Sequence, residues 1–218
     1  MKPLTVKETG EKIYPTKIIC LARTYRKHAE EMNSEVPSEP ILFLKPPSAI
    51  IHSSEKIVIP EISKKVHYEG ELAVIIGKNG KNIPKEEAHS YISGYSAFLD
   101  ITARDLQSYA KSKGYPWSIS KGFDTFAPVS PVTKKEYVDD PHNLSIKLWV
   151  NDQIRQNSNT KYMIFTIYEI IEYISRIMTL EKGDVIATGT PEGVGEIKRG
   201  DRIVLEIEKV GKLENYVV

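Results

Sequence analysis

Glu69 and Glu71 lie two residues apart in the stretch VHYEGELAVIIG, Val66 to Gly77. Side chains alternate faces along an extended strand, so both carboxylates project from one surface. Like charges so placed weaken a sheet unless something positive compensates, and a bound divalent cation would do so. Asp100 follows the apolar run Tyr95 to Leu99 at a strand end, which suggests one oxygen-rich metal site built from Glu69, Glu71 and Asp100. Carboxylate-only ligation selects hard cations, Mg²⁺ or Mn²⁺ before Ca²⁺ and all of these before zinc. For Glu-x-Glu taken alone the plainer reading is a solvent-facing strand edge. His67 shares the face by spacing and is read as packing or as an outer partner before it is read as a ligand.

Four further positions bear on chemistry. His28 and Glu31 lie three apart in the helix-forming stretch YRKHAEEM and share a face, either as an exposed ion pair or as a carboxylate-oriented general base. Lys121 stands in the aperiodic segment Ser112 to Pro128, where a lysine is solvated unless it is held near a metal to bind an anion. GTPEGVG, Gly189 to Gly195, lacks the GKS or GKT ending of a phosphate loop and has no helical pattern after it; Thr190 can still offer its hydroxyl or backbone to a carboxylate. No G-x-S-x-G elbow is present, which counts against Ser-His-Asp hydrolysis.

These residues need elements to hold them. IICLA, Ile18 to Ala22, reads as a short buried strand that feeds the His28 helix, on which Tyr25 and Met32 also face one way. Ser34 to Pro40 is a loop by its prolines and polar residues, placed where a lid would be. Strands are expected at Ile41 to Ile51, broken at Pro46 and Pro47 with Lys45 at the break, at Lys56 to Pro60, and through Val66 to Gly77. Pro84 to Ile92 reads as a helix, and Ala103 to Lys111 as a helix carrying Arg104 and Gln107. Leu144, Ile146, Leu148 and Val150 alternate along a strand that turns at Asn151 and Asp152 into a partner. Thr166 and Glu169 have capping-box spacing ahead of the period Ile167, Ile170, Ile171, Ile174. Short strands with few helices indicate a mainly β fold of the α+β class.

The chain has 218 residues, a net charge of +1, 40% hydrophobic and 27% charged residues, which suits a single domain and gives no electrostatic case for nucleic acid. No apolar run reaches the length needed to span a bilayer, the N-terminal stretch is too polar for a signal peptide, and the cytoplasm is the expected compartment. Cys20, the one cysteine, sits among Ile18, Ile19 and Leu21 and is read as a structural thiol.

Together, Tyr25 with His28, Glu31 and Met32, then FLKPPSAI, YEGELAVIIG, DITARDLQ, KGFDTF and GDVIATGTPEGVG resemble the fumarylacetoacetate hydrolase family, most closely its acylpyruvase and oxaloacetate decarboxylase branch. The resemblance spans nearly the whole chain and implies a mixed β-sandwich roll, one catalytic domain over residues 1–218, a homodimer, and Mg²⁺ or Mn²⁺ on Glu69, Glu71 and Asp100. It implies His28 with Glu31 as the water-activating dyad, Lys121 as the active-site lysine, and Arg23, Tyr25, Arg104, Gln107 and Thr190 around a 2-oxo acid. The activity implied is cleavage of a carbon–carbon bond through an enolate: hydrolysis of an acylpyruvate or decarboxylation of oxaloacetate. Isomerisation or hydration of a dienoate is the alternative, and a non-catalytic metal-binding scaffold of the same fold the remaining one. Ala22 to Tyr25 departs from the family's Gly-Arg-Asn-Tyr, and Ser130 stands for a glycine in Ala127 to Pro131; both departures bear on substrate identity.

Overall fold

A computed structural model describes residues 2–31 and 35–218. Met32, expected to face Tyr25, and Ser34, the start of the expected loop, lie outside the described residues; residues 35–40 carry neither helix nor strand. The architecture is mainly β and curled. An eight-stranded sheet follows the path Ile41–Lys45, Ile18–Ala22, Val185–Ala187, Gly70–Ile76, Ile92–Leu99, Ala127–Val129, Ile50–His52, with Thr133–Lys134 added on Ile92–Leu99. A five-stranded sheet runs Gln153–Asn159, Ser145–Val150, Arg202–Ile207, Gly211–Val217, Lys56–Ile57. A three-stranded sheet has Val66–Tyr68 between Thr102–Ala103 and Gly195–Ile197.

Period-two alternation divides the large sheet between two cores. Leu72, Val74 and Ile76 pack with Tyr95, Ala97 and Leu99 against Ile146, Leu148, Ile203, Leu205 and Leu213 of the five-stranded sheet. Ala73 and Ile75 face the other way, with Ile18, Cys20, Phe98, Val185 and Ala187. Every residue of Gly70–Ile76 is buried, as a central strand covered on both faces requires.

The expected single strand Val66 to Gly77 is in fact two. The chain leaves the three-stranded sheet at Tyr68, bends at Glu69, and enters the large sheet at Gly70. Its partner does the same in reverse: Gly70 pairs with Leu99, the Asp100 amide donates to Glu69 O at 2.9 Å, and Thr102 pairs with His67. Glu69 and Asp100 therefore occupy one corner where two paired strands change sheets. Gly70 is required there, because a Cβ would lie 2.9 Å from Gln156 Oε1 and 3.0 Å from a methyl of both Leu148 and Leu205.

Three further expectations need correction. Pro84 to Ile92 forms a 3₁₀ helix over Lys85–Tyr91, and Lys56 to Pro60 pairs only over Lys56–Ile57. Lys121 is not in an open loop; it ends the four-residue helix Ser118–Lys121 and is 2% exposed. The hairpin at Asn151 and Asp152 forms as read, with both residues at positive φ, 49° and 65°. Among the described residues, no helix is long and apolar enough to cross a membrane.

The helix Ile167–Ile177 carries the expected capping box. Thr166 Oγ1 accepts from the Glu169 amide at 3.2 Å, and Glu169 Oε2 accepts from the Thr166 amide at 2.8 Å. Ile167, Ile170, Ile171 and Ile174 are its buried stripe. Replacing a Thr cap costs about 1 kcal/mol because an amide at the helix start loses its partner. Thr166→Ala is therefore expected to lower the unfolding free energy by about 1 kcal/mol in denaturant titration while Thr166→Ser stays near wild type.

Candidate functional site

Strand parity brings the acids together. Glu71 pairs in register with Phe98, so Glu69 and Glu71 on one strand and Phe98 and Asp100 on its neighbour share the face that also carries Ala73 and Cys20. One carboxylate oxygen each from Glu69, Glu71 and Asp100 lies within 4.8 Å of the other two, and all three side chains are buried. An oxygen-only set of this kind fits a hard divalent cation. His67, pairing with Thr102 and Glu196 in the three-stranded sheet, stays outside this group.

Part of the compensation expected from a cation is built into the chain. Lys121 Nζ donates to Glu69 Oε2 at 2.8 Å, to Asp100 Oδ2 at 2.6 Å and to Thr102 Oγ1 at 2.6 Å. Lys45 Nζ donates to Asp100 Oδ1 at 2.6 Å and to Ile101 O at 2.9 Å, and Arg104 pairs with Glu69 Oε1. Both oxygens of Glu69 and of Asp100 thus have a cationic partner. Glu71 does not: among the described residues its hydrogen bond comes from the Gly189 amide, at 2.8 Å. Gly189 can aim that amide because its φ is +92° and a Cβ would fall 2.0 Å from Thr24 Oγ1.

The protonation equilibria follow from this asymmetry. Burial pushes the Glu69 carboxyl up, but Lys121 and Arg104 outweigh it and hold the group well below the usual carboxylate range. Burial pushes Glu71 well above that range, and the nearby charges of Asp100 and Glu69 push it further. Burial lowers Lys45, with Asp100 opposing, whereas for Lys121 Asp100 and Glu69 overcome burial and raise it. Glu71 is the acid of the three with no cationic side chain on its oxygens among the described residues, and a divalent cation on the three oxygens would supply that partner. The donor set therefore fits the metal.

The His28 side chain is buried within the helix Arg26–Glu31 and lines the same cavity as Glu69 and Glu71. Its Nδ1 lies 3.3 Å from Glu31 Oε2. Burial lowers its pKa below the ordinary 6.5, with Glu69 and Glu31 partly opposing, so the imidazole is neutral near pH 7. Glu31 also accepts from the Gly193 amide at 3.2 Å, tying the helix to the turn after Val185–Ala187.

The cavity of about 30 Å³ is lined by Arg23, Arg104, Gln107, Lys121 and Thr190 among the expected residues. Tyr25 is not part of the lining: it is buried, and its hydroxyl lacks a hydrogen-bond partner among the described residues. The Thr190 hydroxyl, expected to be free for a ligand, donates to Gly70 O at 2.9 Å and accepts from Gln156 Nε2 at 2.8 Å. Gln107 Oε1 accepts from Arg104 at 2.6 Å, and Arg104 Nε donates to His67 Nδ1 at 3.4 Å. Burial and Arg104 push His67 down to about 4, which keeps Nδ1 an acceptor and makes the histidine a support for Arg104.

Four contributors escaped the sequence reading: Lys45, Phe43, Lys111 and Trp117. Lys45 and Phe43 share a strand face with Cys20 by register, which pairwise strand alignment alone reveals. Lys111 had a readable signal, since Arg104, Gln107 and Lys111 stand at i, i+3 and i+7 on the helix Arg104–Lys113. Cys20 is buried as expected, its thiol pushed up by burial and by Asp100.

Known proteins are similar to this chain in sequence and in fold. The chain is 47% identical over 199 residues to the mitochondrial oxaloacetate tautomerase FAHD1 of Arabidopsis thaliana, covering 91% of this chain and 89% of that protein. It is 47% identical over 197 residues to the mitochondrial oxaloacetate decarboxylase of Dictyostelium discoideum, covering 90% and 88%. Its fold superposes on fumarylpyruvate hydrolase from Pseudomonas aeruginosa, in complex with Mn²⁺ and pyruvate, with a TM-score of 0.96, 36% identity, and coverage of 100% and 97%. Residues 17–218 match the model of the fumarylacetoacetate (FAA) hydrolase C-terminal family. On its sequence and on its fold, the chain belongs to the fumarylacetoacetate hydrolase family.

Proposed function

We propose that this protein cleaves a carbon–carbon bond in a 2-oxo acid, with Mg²⁺ or Mn²⁺ held by Glu69, Glu71 and Asp100. The observation that carries this reading is the convergence of three buried carboxylates, two of which, Glu69 and Glu71, line one cavity with a neutral, carboxylate-oriented imidazole. When bound, the cation supplies a Lewis acid that lowers the energy of an enolate. His28 takes a proton from water, and the resulting hydroxide attacks the distal carbonyl of an acylpyruvate. As the carbon–carbon bond breaks, its electron pair passes to the pyruvate enolate, and the imidazolium can return the proton to that carbon. Glu31 holds the imidazole in register and stabilises its charged form. Lys121 fixes Glu69 and Asp100 in place, Arg104 and Gln107 receive the carboxylate beside the 2-oxo group, and Arg23 lines the cavity next to them. Oxaloacetate needs no attacking water, because loss of CO₂ leaves the same enolate.

A proton-moving reaction, tautomerisation or isomerisation, is the second reading, favoured by the tautomerase among the relatives and by the neutral His28. We take the working form to be a homodimer, a reading in keeping with the individual exposure of Leu44 and Ile119.

Mn²⁺ at a hundred times its dissociation constant is expected to stabilise the wild type by about 2.7 kcal/mol, read as a rise in melting temperature. Glu71→Gln removes one ligand and is expected to lose most of that rise; an unchanged rise would remove Glu71 from the site.

The pH dependence tests the dyad. Activity that needs neutral His28 falls as pH drops through its depressed pKa, so the acid limb of kcat/KM for acetylpyruvate lies below the ordinary 6.5. Glu31→Gln removes a charge that favours the imidazolium, and so moves that limb to lower pH. His28→Ala should cost about 10²–10⁴-fold in hydrolysis while sparing oxaloacetate decarboxylation. Equal losses for both substrates would take water activation away from His28.

A further inference from the structure

Two cations at the cavity stand apart from the charge network. Arg104 and Lys121 are committed to Glu69 and Asp100. Arg23 and Lys111 line the same cavity, and among the described residues neither has a carboxylate within ion-pair distance. Arg23 holds a positive φ of 59°, a conformation non-glycine residues rarely adopt and one that sets where its side chain leaves the chain. Lys111 projects from the same helix face as Arg104 and Gln107, and its ammonium lies 5.2 Å over the Trp117 ring. Lys111 is an exposed residue, and Trp117, itself part of the cavity wall, gives its long side chain a surface to rest on beside the cavity.

Like charges surround this ammonium. Burial lowers the Lys111 pKa first, then Arg23 and Arg104, with only Glu69 opposing before Lys121 lowers it again. More like charge than opposite charge thus acts on the Lys111 ammonium, from Arg23, Arg104 and Lys121 against Glu69. A site with cations held free of carboxylates is matched by an anion from outside. The carboxylate beside the 2-oxo group is already provided for by the metal site with Arg104 and Gln107, which leaves the Arg23 and Lys111 side for a second one.

We infer that Lys111, assisted by Arg23, is a specificity-determining residue that binds the distal carboxylate of dianionic 2-oxo acids and so selects them over monocarboxylates of the same length. This inference rests on the 2-oxo acid reading above. A carboxylate lost as CO₂ leaves as a neutral molecule while its negative charge passes to the enolate, away from Lys111, so the contribution belongs to binding and is measured there.

Calorimetry on the Mn²⁺-loaded protein with 2-oxoglutarate and 2-oxopentanoate compares a carboxylate with a methyl at the same chain position. The wild type should bind the dianion more tightly, and Lys111→Met, which keeps an apolar stem against Trp117, should weaken it by about tenfold while narrowing the gap to the monoanion. Lys111→Arg should keep most of the preference. Melting temperature and Mn²⁺-induced stabilisation of each variant verify that fold and metal site persist. Equal weakening of both ligands, no change in either, or no binding of either to the wild type overturns the inference. Turnover of oxaloacetate and acetylpyruvate by the wild type tests the underlying reading separately. No turnover with intact selectivity sinks the proposed reaction alone, whereas turnover without selectivity sinks the role of Lys111 alone.

Discussion

The Lys121 ammonium is the interaction on which the rest of the site depends. It touches Glu69, Asp100 and Thr102 at once, inside a region where none of the three is open to solvent. Buried like charges repel and resist desolvation, and breaking such a cluster by removing one partner leaves an uncompensated charge at high cost. With Lys45 on the other oxygen of Asp100 and Arg104 on Glu69, the chain neutralises two of its three acids and leaves Glu71 as the exception. Glu71 is thus the acid of the cluster whose oxygens remain open to a cation.

Placement of the cluster follows from how the sheets meet. Strands buried on both faces have no room for ionised side chains, and Gly70–Ile76 contains none beyond Glu71 at its first turn inward. The acids sit where two paired strands bend from the three-stranded into the eight-stranded sheet, so each strand presents its polar residue at the same corner. Gly70 permits the bend against Gln156, Leu148 and Leu205, and Gly189 permits the turn whose amide reaches Glu71. The apolar core thus serves as a rigid frame for a polar site at its edge.

Function divides along the same lines. The acids with Lys45 form a fixed centre at the sheets, clamped by Lys121 from the helix Ser118–Lys121, while the groups that would meet a substrate come from short helices and turns: His28 from Arg26–Glu31, Arg104, Gln107 and Lys111 from Arg104–Lys113, Trp117 before Ser118–Lys121. A centre fixed at the sheets and a periphery on helices and turns can vary separately, which fits a family whose relatives bear tautomerase, decarboxylase and hydrolase names.

Much of this was legible in the residues. Period-two alternation located the Ser145–Val150 hairpin and its Asn151-Asp152 turn, and capping-box spacing with a 3.6 period located the helix Ile167–Ile177, because these patterns depend only on near neighbours. Spacing also gave Glu69 and Glu71 a common face, and the blocks of resemblance supplied a family and a use for that face. Local pattern could not reveal that the strand breaks at Glu69, since the change of sheet is set by Gly70 against residues more than 75 positions away. Nor could it show Lys121 buried, Lys45 on Asp100, or Thr190 committed to Gly70 and Gln156, each a pairing across many residues. The sequence by itself determined which groups are available and which neighbours share a face; tertiary structure alone decided which charges meet, because the field at a buried carboxylate comes from every strand packed around it and not from its own.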